Sequence, residues 1–142
     1  MGILDRLLKR KGKQNGEEIK EEVQTGPTEL EKLCAGNSEV LEALRDTMFL
    51  DPTKIDVSLE DALANAKEME KAKDKLRAAM WYRIAGGLAI YEGDVSKVRE
   101  YFGKYAKLTE KKLKILEVTE EAVKKAQEYY QRYLKEKERL TV

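Results

Sequence analysis

The amino-acid sequence predicts an all-α protein of four to five helices, built around a long antiparallel helical hairpin and preceded by a disordered N-terminal arm. Three observations support this prediction. Apolar residues recur at three- and four-residue spacing from Leu30 onward, the period of a helix buried on one side. No segment alternates apolar and polar residues over a useful length, so no sheet is expected. Charged residues make up 39% of the chain, which suits thin helical layers with wide solvated faces.

The first 27 residues are expected to precede a single helical domain formed by residues 28–142. Residues 1–10 have the pattern of a short basic amphipathic helix. Residues 11–27 hold three glycines, one proline and many charges, and so predict a flexible acidic linker. Their few apolar side chains bury too little surface to offset the entropy of ordering the chain.

Two short helices are predicted next. Thr28 and Glu31 have the spacing of a capping box, which marks the start of the first helix. Gly36-Asn37 ends that helix, and Asn37 or Ser38 caps the second one. The second helix stops at Asp51-Pro52, because proline disfavours the helical conformation in the residue before it.

A longer apolar stripe begins after Ser58 and Asp61, a second capping box. It continues at helical spacing through Leu76 and Met80, so residues 58–92 form either one long helix or two. Gly86-Gly87 lies inside this run. Since two glycines weaken a helix interior, they are expected to let another helix approach closely or to mark a kink.

The hairpin itself is predicted at Gly93-Asp94, where glycine ends one helix and aspartate caps the next. The following helix runs from Val95 to about Leu108. Thr109 either caps a further helix or lies within a continuous one. The apolar stripe then continues to the C-terminus, supported by acid–base pairs at four-residue spacing such as Glu110 and Lys114.

The stretch from residue 79 to 108 resembles a tetratricopeptide repeat. The matching residues are an aromatic, a glycine, a turn Gly-Asp, a second aromatic and a final apolar residue, namely Tyr82, Gly86, Gly93-Asp94, Phe102 and Leu108. The resemblance implies a close-packed helical hairpin. Val98 and Tyr105 depart from it, because the family prefers alanine there, and no second copy follows at a 34-residue period.

Composition excludes several kinds of chemistry. The chain has no histidine and a single cysteine, Cys34, so zinc sites, disulfides and the commonest general base are not expected. No phosphate loop, dinucleotide fingerprint or calcium loop occurs. We therefore expect no enzyme activity, no catalytic residue, no metal and no cofactor. Scarce Asn and Gln beside abundant Lys and Glu resemble a thermophile's composition. Neither a membrane-spanning run nor a signal peptide is evident, which predicts a cytoplasmic protein.

The leading functional prediction is a non-catalytic adaptor or scaffold that binds another protein or a second copy of itself. Aromatic side chains dominate the hot spots of protein interfaces. The candidate anchors are the aromatic residues of the hairpin and of the C-terminal helix: Trp81, Tyr82, Tyr129, Tyr130 and Tyr133.

Charge segregation suggests two alternatives, because residues 1–16 and 71–142 are basic and residues 17–70 acidic. A nucleic-acid-associated subunit would use the cations of residues 95–114 on phosphates: Lys97, Arg99, Lys104, Lys107, Lys111, Lys112 and Lys114. The same cations would otherwise form a solvated face that pairs with the acidic segment. A peripheral membrane adaptor would bind anionic lipid weakly through its N-terminal arm: Ile3, Leu4, Leu7, Leu8, Lys9 and Arg10.

Overall fold

The protein is all-α in the part of the chain that the structure, a computed structural model, describes, which is residues 28–135. Six α-helices follow one another: α1 (Glu29–Leu33), α2 (Ser38–Thr47), α3 (Leu59–Lys71), α4 (Lys75–Glu92), α5 (Val95–Thr109) and α6 (Thr119–Tyr129). Two 3-10 turns lie at Pro52–Lys54 and Lys114–Leu116, and a π-helix at Tyr130–Lys135 ends the described chain. The predicted fold class is confirmed, with six helices rather than four to five. The predicted N-terminal arm lies outside the described residues.

The chain divides into two compact units, residues 1–32 and 33–142. In the first, the capping box that begins α1 is formed as predicted. The Thr28 N–H donates to Glu31 Oε1 at 2.8 Å, and the Glu31 N–H donates to Thr28 Oγ1 at 3.1 Å. Both otherwise unpaired N–H groups of the helix start are therefore satisfied. Everything described below belongs to the second unit.

Short polar side chains begin the next four helices. Each accepts a hydrogen bond from the backbone N–H three residues further on, at distances from 3.0 to 3.2 Å: Asn37, Ser58, Asp74 and Asp94. Three of these caps were predicted, because a cap depends only on neighbouring residues. The fourth, Asp74, marks a helix start that the apolar spacing does not reveal.

Residues 58–92 form two helices, which settles the alternative that the sequence left open. α3 ends at Lys71, and Lys73 takes a left-handed backbone conformation with a φ of 61°. The Asp74 N–H then donates to the Met69 carbonyl at 2.9 Å, so that the chain reverses before Asp74 caps α4. Because the chain reverses there, the apolar spacing of α3 does not tell which residues of α4 are buried.

The centre of the fold is a layer of three helices, in which α3 packs antiparallel to α4 and α4 antiparallel to α5. The predicted hairpin between α4 and α5 is confirmed. Gly93 ends α4 in the left-handed region with a φ of 79°, a conformation that glycine adopts without steric cost. Small residues line the buried side of α4, including Ala78, Ala85 and Ala89, which allows both neighbouring helices to approach closely.

Gly86 and Gly87 permit close approach on two sides of α4. A Cβ atom at Gly86 would lie 2.5 Å from Cε2 of Phe102 on α5, and one at Gly87 would lie 2.5 Å from Cε2 of Phe49. No real Cβ tolerates such a contact. The predicted close approach of another helix is thus confirmed at Gly86, which contacts Phe102 of α5. Gly87 instead contacts Phe49, in the segment that follows α2.

After α5 the chain turns instead of continuing as a helix. Glu110 has a φ of 57° and ends α5. The spacing of Glu110 and Lys114 is therefore not a helical pair. Lys114 instead pairs with Glu117 at 3.1 Å and with Glu39 at 4.0 Å. The turn leads into Lys114–Leu116, which packs against α2 and buries Ile115.

α6 closes the core over α2 and the hairpin. The Gln127 side-chain amide donates to the Ile90 carbonyl at 2.8 Å and to the Tyr91 carbonyl at 2.9 Å. Since the last four carbonyls of a helix have no partner within it, this amide supplies donors to two carbonyls at the end of α4. Within residues 28–135, no helix is long and apolar enough to cross a membrane.

Candidate interaction surface

The predicted aromatic anchors divide into buried and partly exposed rings. Tyr82 and Tyr130 are each only 1% exposed, and their rings belong to the core. The Tyr82 hydroxyl donates to Glu70 Oε1 at 2.7 Å, and the Tyr130 hydroxyl donates to the Phe49 carbonyl at 2.6 Å. Neither ring is accessible to a partner in this structure. The other three are half-buried: Trp81, Tyr129 and Tyr133.

The Tyr82 hydroxyl belongs to a polar network that joins the three central helices. Glu70 on α3 accepts the hydrogen bond from this hydroxyl, and Lys104 Nζ on α5 lies 3.6 Å from Glu70 Oε2. The same Nζ lies 5.6 Å from the centroid of the Tyr82 ring. Because a buried polar group is costly when unpaired, this network stabilises one arrangement of the three helices.

The buried tyrosines predict a loss of stability at alkaline pH. Burial raises the pKa of Tyr82 and of Tyr130 above the usual value, and the hydrogen bond to Glu70 raises that of Tyr82 further. Above about pH 10, unfolded tyrosines lose protons that the folded state keeps, so the free energy of unfolding falls. The slope is about 1.4 kcal/mol per pH unit for each such group.

Urea unfolding between pH 8 and 11.5 measures this slope. Tyr82→Phe and Tyr130→Phe should each reduce the slope of the free energy of unfolding against pH by about 1.4 kcal/mol per pH unit. This holds whatever either substitution does to stability at pH 8. Phe102→Leu, which alters a buried ring that carries no ionisable group, is the control and should leave the slope unchanged. Equal slopes in all four proteins would contradict the prediction.

Four of the seven cations predicted for nucleic acid take part in ion pairs. Their partners are glutamates at 3.1–4.0 Å: Lys97 with Glu92, Arg99 with Glu120, Lys104 with Glu70, and Lys114 with Glu117 and Glu39. The sequence also places Tyr101 and Tyr105 among these cations, where a base could stack on them. Tyr101 is buried and Tyr105 half-buried. Lys107, Lys111 and Lys112 are exposed, and we find no ion pair on them among the described residues.

Two of these lysines line a cleft of about 280 Å³ between the end of α2, α4 and the end of α5. Its lining is cationic and aromatic with one carboxylate: Asp46, Thr47, Arg83, Phe102, Tyr105, Lys111, Lys112 and Leu113. Nη2 of Arg83 donates to the Asp46 carbonyl at 2.7 Å. The sequence indicates the two lysines but not the cleft, because Arg83 and Asp46 meet them only through the tertiary fold.

An exposed apolar face on the first half of α4 is the feature that the sequence analysis missed. Leu76 is 79% exposed and Met80 49%, although both fit the apolar stripe that predicts burial. They lie one turn apart, and Arg83 follows Met80 on the same side of α4. We call Leu76, Met80 and Arg83 the α4 face. These residues are exposed because the chain breaks at Lys73. α4 therefore does not continue the buried side of α3.

No cluster of three or more potential metal ligands occurs between residues 28 and 135. Cys34 is buried, and this burial raises the pKa of its thiol. The predicted membrane contact, residues 3–10, lies outside the described residues. No family model, curated protein or solved structure matches the chain.

Proposed function

We propose that this chain is a non-catalytic interaction protein that binds an acidic helical segment of another protein on its α4 face. The observation that supports it is the exposure of Leu76 and Met80, one turn apart on a helix whose opposite side is packed into the core. Two large apolar side chains at this spacing suit a partner helix that presents its own apolar side chains at three- and four-residue intervals.

The charge around the face supports an acidic partner. Lys75, Arg77 and Arg83 are exposed within the same two and a half turns of α4. Arg77 lies 3.7 Å from Asp74. Lys75 and Arg83 therefore give this part of α4 an excess of positive charge. Complementary charge speeds association and disfavours the wrong partners. A segment that carries glutamate or aspartate beside its leucines would therefore match both the shape and the charge of the surface.

Nucleic acid is the alternative that the exposed Lys107, Lys111 and Lys112 favour. Phosphate binding would employ those lysines, but it would leave the apolar pair on α4 without a partner. It would also compete with the glutamates that already hold the neighbouring cations, such as Glu70 at Lys104. A protein segment makes use of both features, so we prefer it.

Selection from a displayed library of random 16-residue peptides tests this proposal. We expect enrichment of peptides with apolar residues at three- and four-residue spacing and with acidic residues between them. Leu76→Gln combined with Met80→Gln should weaken these peptides at least about tenfold in Kd, because apolar anchors dominate such interfaces. Helicity should persist, since both positions are exposed and glutamine is a good helix former.

Ala64→Gln, at an exposed position on α3, is the matched control and should leave the Kd unchanged. The proposal fails if no peptide is enriched, or if the enriched peptides bind the double variant as tightly as the original chain. Labelled single-stranded and duplex 20-mers, measured in parallel, test the alternative. Tight and salt-dependent binding to them, with no peptide enriched, would favour nucleic acid.

A further inference from the structure

We propose that the cleft beside the α4 face is an anion subsite, in which Arg83, Lys111 and Lys112 bind carboxylate groups of the partner segment. This inference rests on the proposed function and names the chemistry that the partner must carry. Arg83 connects the two features, because it belongs to the α4 face and also lines the cleft. A segment lying along Leu76 and Met80 would therefore meet, at Arg83, a residue that also lines the cleft.

The charge of the cleft is unbalanced. Three cations line it, and Asp46 is the single carboxylate among its described lining residues. Lys111 and Lys112 are exposed, and no ion pair to either is found within residues 28–135. The neighbouring Lys114 and Lys104, in contrast, have glutamate partners at 3.1 Å and 3.6 Å. The cleft thus holds cations to which the described residues give no ion-pair partner.

The arginine is oriented before any ligand arrives. Its Nη2 donates to the Asp46 backbone carbonyl at 2.7 Å, which uses one of the five N–H groups of the guanidinium. The remaining N–H groups include pairs suited to the two oxygens of a carboxylate. A guanidinium that is already held in place loses less conformational entropy on binding than a free one.

An apolar surface in the cleft distinguishes a side-chain carboxylate from a hydrated inorganic ion. The half-buried Tyr105 ring is among the lining residues, whereas the Phe102 ring is fully buried and offers a ligand no surface. The methylene groups of a glutamate can pack on Tyr105 while its carboxylate meets the lysines. A free phosphate would gain nothing from that ring.

Titration of the ¹⁵N-labelled full chain with hexaglutamate, followed by NMR, tests the inference directly. We expect amide shifts centred on Arg83, Tyr105 and residues 111–113, with hexaglutamine causing none. Lys111→Gln with Lys112→Gln should weaken hexaglutamate about tenfold, the effect of losing two charge-assisted contacts. Lys107→Gln with Lys124→Gln removes the same charge from exposed positions outside the cleft and should not weaken it.

Three results would overturn the inference: no shifts at the cleft, shifts spread evenly over all surface lysines, or equal weakening by both double variants. Stronger shifts at the cleft with inorganic phosphate or with single-stranded dT6 would also overturn it and would indicate a phosphate site. Leu76→Gln with Met80→Gln should leave hexaglutamate binding intact. The apolar face and the anion subsite can therefore fail separately, one in the peptide selection and the other in this titration.

Discussion

Replacement of Phe102 by alanine should lower the free energy of unfolding by about 3–5 kcal/mol, the usual effect of removing a buried aromatic ring. The ring is fully buried and rests against the bare backbone of Gly86. Its loss opens a cavity between α4 and α5, the two helices of the central hairpin. Urea unfolding followed by circular dichroism measures the effect.

Gly86→Ala sharpens this prediction, because its new methyl group would occupy the space of the Phe102 ring. In the original chain it should destabilise by about 1–3 kcal/mol through overpacking. In the Phe102→Ala background the methyl enters the cavity instead, so the double variant should be more stable than the sum of the two effects implies.

Gly103→Ala is the matched control for this pair of substitutions. Gly103 also lies within a helix, but a Cβ there would meet nothing within 4 Å. Alanine should therefore stabilise the chain by about 0.5–1 kcal/mol. Additive effects of Gly86→Ala and Phe102→Ala would contradict the contact that we describe.

Tyr130→Ala should have a similarly large effect, about 3–5 kcal/mol, because the ring is buried and packs edge-on against Tyr91 at 5.0 Å. Tyr130→Phe isolates the hydroxyl. It leaves the Phe49 carbonyl without the donor at 2.6 Å, and should destabilise by about 1–3 kcal/mol.

The comparison for Tyr130→Phe is Tyr133→Phe, one turn along the chain at a half-buried ring. We expect that control to change the free energy of unfolding by less than about 0.5 kcal/mol. Thermal and urea unfolding give both values. Equal effects at the two positions would show that the hydroxyl contact with Phe49 is energetically unimportant.

The elements that the sequence predicts correctly are those that depend on neighbouring residues. Helix starts at Thr28, Ser58 and Asp94 follow from side chains that reach the backbone three residues away. The hairpin follows from glycine at position 93 and the cap behind it. The two glycines at 86 and 87 predict close approach, although not the identity of the rings that fill the space.

The break between α3 and α4 could not be predicted in the same way. Lys73 adopts a left-handed conformation that is usually left to glycine or asparagine. The chain accepts that local cost because the packing of two antiparallel helices outweighs it. Once the break is missed, Leu76 and Met80 seem to continue a buried stripe, and the most exposed apolar face of α4 is predicted to be core.

The site was only partly predictable for a related reason. Tyr82 and Tyr130 are typical interface residues by type, but both are buried, and their hydroxyls donate to Glu70 and to the Phe49 carbonyl, which are distant in the sequence. The sequence identifies Lys111 and Lys112 as candidate phosphate-binding cations. Their association with Arg83 in one cleft is a tertiary property, and no local pattern indicates it.

The paired glycines of α4 also define how relatives of this chain could be recognised. A side chain at position 86 or 87 would enter the ring of Phe102 or Phe49, so any sequence that keeps this packing must keep both positions bare. Gly93, at the turn, lies six residues after Gly87. Phe102, whose ring packs on Gly86, lies nine residues after Gly93. Two adjacent glycines inside a helix, with a glycine turn and an aromatic residue at those intervals, form a short signature that divergence of the charged surface would not erase.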